Sequence, residues 1–90
     1  MIRSYHCVVT GKVQDVFFRA WVNDQAASLK LGGWVRNLDE KKVEVLLQGD
    51  EVNIAEMRTR LMVGPPLSQV KDLKCEWIDY DTEHKEFAIR

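Results

Sequence analysis

The chain has 90 residues, 13 basic and 14 acidic with a formal charge of −1, and is 46% hydrophobic and 30% charged; this describes one domain, residues 1–90, around a single core. The composition excludes a disordered or low-complexity chain, and the balanced charge leaves no electrostatic footprint for nucleic acid or a membrane surface. No apolar run reaches the length of a signal peptide or a membrane span, and Cys7 and Cys75 lack the spacing of a disulfide framework or a zinc site. The expectation is a mature, soluble protein with reduced thiols in the cytoplasm.

Residues 2–10 predict a first strand, in which Tyr5, Cys7 and Val9 alternate against His6, Val8 and Thr10 before Gly11 ends the run. From Phe18 the period becomes helical: Phe18, Val22, Ala26 and Leu29 share a face, and Gly32 and Gly33 are expected to stop the helix. Residues 33–38 and 42–48 predict two strands joined by a hairpin turn at Asp39–Lys41. Asp50 is a candidate N-cap for a second helix with an Ile54, Met57, Leu61 stripe, ended by Gly64, Pro65 and Pro66. A fourth strand is expected over Val70–Ile78, then a polar stretch, Asp79–Glu86, and a short terminal strand, Phe87–Arg90. The order βαββαβ plus a short extra C-terminal strand suggests the α+β, ferredoxin-like split βαβ sandwich, with two helices packed on one face of an antiparallel sheet.

In that plan strands one and two run in the same direction with strand three between them, so the loop after Thr10 and the end of strand two at Asn37 share one rim, roughly 10 Å apart. The loop Lys12–Phe18 feeds a helix N-terminus, whose first amides lack intrahelical partners and can cradle an anion. Arg19 stands in that positive first turn, where a cation is unfavourable unless something negative joins it; its planar guanidinium can grip two phosphate oxygens. On the residues alone, blander readings stay open. The glycine reads as a turn residue, the arginine as a solvated side chain and Asn37 as a strand-ending turn former. Phe17, Phe18 and Trp34 read as core or sheet-face packing, and His6 and His84 as a strand and a loop residue. The pattern GxxxxGK[ST] is absent, which excludes a nucleotide P-loop.

The stretches "GKVQDVFFR" at 11–19, "GWVRN" at 33–37, "VEVLLQG" at 43–49, "GPP" at 64–66 with Val70, and the closing "FAIR" together resemble the acylphosphatases over nearly the whole chain. The resemblance implies an enzyme that hydrolyses the carboxyl–phosphate bond of small-molecule acyl phosphates to a carboxylate and inorganic phosphate, as a monomer and without metal or cofactor. It assigns Arg19 to the substrate phosphate, Asn37 to the attacking water, and the amides of Lys12, Val13, Gln14, Asp15 and Val16 to the phosphate cradle. Two departures stand out. Asp15 occupies a position where the family usually has glycine, and the turn in "NLDEKKVEV" also lacks the usual glycine. Asp15 supports an alternative reading, a weakly active or inactive phosphate-binding or regulatory module. An RNA-binding domain of the same fold is disfavoured, because its aromatic motif would lie on a central strand.

Overall fold

The computed structural model describes residues 2–15, 17–39 and 41–90. Its elements run β1 (Arg3–Lys12), α1 (Phe18–Ser28), β2 (Gly32–Asp39), β3 (Lys42–Gly49), α2 (Glu51–Val63), β4 (Gln69–Ile78) and β5 (Phe87–Ile89). The five strands form one sheet in the order β4-β1-β3-β2-β5. β3 lies antiparallel between β1 and β2, and β4 pairs antiparallel with β1. This is the ferredoxin-like sandwich, with one refinement: β5 pairs with β2 in parallel, Val35 opposite Ile89, so the sheet is mixed.

Alternation along the strands sorts the side chains onto two faces. Val9, Val35, Val43, Val45 and Leu47 meet Phe18, Val22 and Ala26 of α1 and Ile54, Met57 and Leu61 of α2 in one core cluster. Each large apolar side chain taken fully from water there contributes about 1.5–3 kcal/mol. The other face is polar over much of its extent, yet Leu46 and Trp34 are buried on it, because the segment 79–86 crosses that end of the sheet. Gln48 donates to Ser4 Oγ at 3.1 Å and to the Thr82 carbonyl at 2.8 Å, and its Oε1 accepts the His84 amide at 2.7 Å. Gly32 makes room for this crossing: a Cβ there would collide with the His84 carbonyl oxygen.

Three expectations need correcting. α1 is not stopped by Gly32 and Gly33, which belong to β2; Leu29 caps it and Lys30 takes the left-handed position at φ 58°. Phe18 and Trp34 pack as expected, but Phe17 is 83% exposed. Cys7 and Cys75 are not free: strand pairing places them directly opposite on β1 and β4, Cα atoms 4.1 Å apart, and they are joined as a disulfide. Their 68-residue separation concealed a contact that only the β1–β4 pairing creates.

Candidate active site

At the C-terminal end of β1 the chain leaves the sheet through an irregularity. The β1–β4 register shifts between Thr10 and Gly11, and Gly11, at φ 139°, lies so close to β4 that a Cβ would strike the Gln69 carbonyl oxygen. The glycine therefore answers to a bulge against a neighbouring strand. The following loop holds two residues in the left-handed region, Asp15 at φ 59° and Phe17 at φ 58°. Each costs about 1 kcal/mol or more relative to ordinary backbone, aspartate less than phenylalanine.

α1 starts from this strained turn. Phe17 is its N-cap residue but supplies no side-chain cap, and no acidic residue stands in the first turn. The first helical bond runs from the Trp21 amide to the Phe17 carbonyl at 3.0 Å, so the amides of Phe18, Arg19 and Ala20 lack intrahelical acceptors. A cleft of about 410 Å³ opens here, walled by Val13, Gln14, Asp15, Phe17 and Arg19 and, from β5, by Ile89. Arg19 is half-buried and donates to the Arg90 carbonyl at 3.4 Å, its one side-chain hydrogen bond among the described residues.

Asn37 reaches the same rim from β2. It shares strand parity with buried Val35, so it lies on the helix-bearing face, in a row with Val43 and Val9, one step beyond the core. Its side chain is exposed, and the β2–β3 register shifts just after it. Gln14 ties these two halves together. Its side-chain amide donates to the Asp39 carbonyl and, at 2.9 Å, to the Lys42 carbonyl, bracing the loop against the turn that follows Asn37.

The remaining residues expected in the cradle separate. Val13 is buried and lies on the cleft wall. Lys12 ends β1 opposite Gln69 and lines a neighbouring pocket of about 300 Å³ with Lys41 and Lys71; Asp15 lies on the walls of both spaces. Val16 falls outside the described residues. Among those described, no group of three or more His, Cys, Asp or Glu side chains is arranged to hold a metal ion, and no helix is long and apolar enough to cross a membrane.

Sequence reading missed two features. One is the Gln14 brace, since its acceptors lie 25 and 28 residues away. The other is an ionic cluster on the open face of the sheet, where Glu44 receives Arg36 Nε at 2.5 Å and faces His6 Nε2 at 2.6 Å. Burial pushes the Glu44 carboxyl up, but its hydrogen bonds with His6 and Arg36 outweigh this and hold it below the ordinary glutamate range.

Residues 5–89 match the family model described as Acylphosphatase. The chain is 39% identical to an acylphosphatase of Nitrosococcus oceani over the full length of both proteins. It is also 39% identical to one of Pelotomaculum thermopropionicum, across 93% of this chain and 91% of that protein. The chain belongs to the acylphosphatase family. Its fold agrees: the crystal structure of an acylphosphatase from Bacillus subtilis superimposes with a TM-score of 0.93 at 34% identity, covering 100% of this chain and 99% of that one. Membership makes the chain a hydrolase of the acylphosphatase class.

Proposed function

We propose that the cleft at the start of α1, with Asn37 on the same rim of the sheet, hydrolyses acyl phosphates to a carboxylate and inorganic phosphate. The observation that carries this is the convergence on one rim of an uncapped helix start, a half-buried arginine and an asparagine on the helix-bearing sheet face. In this reading Arg19, the loop amides and the open amides of the first turn hold the phosphoryl oxygens, and Asn37 orients a water in line with the phosphorus. Water's oxygen bonds to phosphorus as the bond to the carboxylate oxygen breaks. The carboxylate leaves with the electron pair, and the proton passes to a phosphoryl oxygen. Phosphoryl transfer of this kind draws on positioning and charge stabilisation, so a strong general base is not required.

The proposal includes a monomer acting on a small-molecule substrate in the cytoplasm, with no nucleic-acid partner, no cofactor and no metal. In that compartment the reducing thiol pool would open the Cys7–Cys75 bond, so the disulfide would be the oxidised form of the same fold. The deciding assay is benzoyl phosphate hydrolysis by wild type and Asn37→Ala, with and without chelator. The variant should lose most turnover while inorganic phosphate, followed by calorimetry, still binds nearly as before, and the chelator should change neither. Full activity in Asn37→Ala would overturn the assignment of the water to Asn37.

A further inference from the structure

Beside the Arg19 cleft lies a second depression of about 450 Å³ between the start of α1 and the loop after α2, walled by Phe17, Ala20, Trp21, Pro65, Pro66 and Leu67, with Asp24 as the one charged wall residue among those described. It adjoins the cleft, with Phe17 and Ala20 lining both. Phe17 is the residue for which packing offers no account. Its ring is 83% exposed, and its backbone sits in the left-handed region that bulky residues rarely adopt. Leu67, on the opposite wall, is 69% exposed. A folded chain gains nothing from showing these two side chains to water. Both gain if something apolar enters between them.

We infer that this groove binds the acyl group of the substrate, and that Phe17 and Leu67 set a preference for apolar, aromatic or branched acyl phosphates over small or charged ones. The inference rests on the reading of the Arg19 cleft as the phosphate site. A substrate held there by its phosphoryl group must carry its acyl part out over the cleft wall, and one such wall is the Phe17 ring. Beyond it the lining is almost entirely apolar, which rewards an aryl or branched alkyl group, while Asp24 disfavours an acyl chain with its own carboxylate. The backbone position of Phe17, between the loop and the helix, holds the ring on the boundary of both spaces.

The test compares kcat/KM for benzoyl phosphate and acetyl phosphate in wild type, Phe17→Asn, Phe17→Tyr and Leu67→Ser. Asparagine tolerates the left-handed backbone while removing the apolar ring, and Leu67 lies outside the phosphate loop altogether. Wild type should favour benzoyl phosphate. Phe17→Asn and Leu67→Ser should each lower the benzoyl-to-acetyl ratio by roughly tenfold, chiefly through KM for benzoyl phosphate, and Phe17→Tyr should keep it. A merely structural effect would lower both substrates together. Turnover of both substrates with an unchanged ratio in both variants, as expected if the groove served a protein partner instead, would overturn the acyl-groove assignment alone. Absence of turnover of either acyl phosphate by wild type would overturn the proposed reaction and this assignment with it.

Discussion

α2 begins at Asp50, whose carboxylate accepts the Val52 amide at 2.9 Å, and it carries Glu51 in its first turn. α1 begins at Phe17, in the left-handed region and without a side-chain cap, and it carries Arg19 where α2 carries an acid. A good N-cap is worth about 1 kcal/mol, and a charge of the wrong sign in the first turn costs about 0.3–1 kcal/mol. The same chain thus completes one helix start for stability and leaves the other open. The open one lies at the rim where β1 and β2 both end, and it is the one that borders the cleft. On the function proposed above, the substrate's phosphate completes the amides and the arginine at the open start, while the start of α2 is closed by the chain's own Asp50.

The strongest way to break this contrast is Arg19→Ala. If the open helix start serves phosphate, both phosphate affinity and turnover should fall, with kcat/KM lower by at least about 10²-fold. Arg19→Lys should recover little, because an ammonium lacks the bidentate fork. Calorimetry with inorganic phosphate and steady-state kinetics on benzoyl phosphate check this, and a wild-type-like lysine variant would remove the guanidinium from the argument.

A next step sharpens the comparison inside the loop. Asp15 already holds the positive φ that glycine would supply freely, and it is exposed, so Asp15→Gly should relieve backbone cost and remove a negative charge near the phosphate. An increase in kcat/KM of roughly tenfold, equivalent to about 1.4 kcal/mol, is expected. A fall would give the aspartate a positive role in holding the loop. Gln14→Ala, which cuts the brace to the Asp39 and Lys42 carbonyls, should lower kcat by a similar factor, through looser placement of the loop relative to Asn37.

At the closed helix start the effect should appear in stability alone. Asp50→Ala should cost about 1 kcal/mol in denaturant unfolding and leave kcat/KM on benzoyl phosphate unchanged. A kinetic defect there would blur the distinction between the two helix starts.

The smallest expected effect lies on the sheet face away from the site and depends on pH. The Glu44 carboxyl is held below its ordinary range in the folded chain. Its stabilising contribution is therefore fully present above the pKa of an unfolded glutamate and is lost as pH falls through the lower folded value. Glu44→Gln should cost about 0.5 kcal/mol at neutral pH, and the difference from wild type should shrink towards zero under acidic conditions below the ordinary glutamate range. Unfolding curves of the two proteins between neutral and acid pH measure it.

The sequence by itself determined the elements, because each depends on neighbours in the chain. Alternation in Tyr5, Cys7, Val9 and in Val43, Val45, Leu47, the helical spacing of Ile54, Met57 and Leu61, and the cap at Asp50 all reappear as core and boundary. It also marked the segment that forms the cleft, since an arginine at a helix start is a conflict visible within a few residues. The motif at 11–19 carried the family. Features that depend on distant contacts stayed hidden. Leu46 and Trp34 sit at positions that alternation assigns to the open face, yet they are buried, where residues 79–86 cross that end of the sheet and Arg36 and Arg90 lie over the Trp34 ring. Phe17 reads as core by composition but falls at a left-handed turn that aims it at water. Cys7 meets Cys75, and Gln14 meets the turn after Asn37, through strand pairing and loop packing across long separations. Local propensity sets where chain segments bend and which face they hide, whereas proximity between remote residues exists only after the sheet has closed its loops. The site at this rim is built from such proximities.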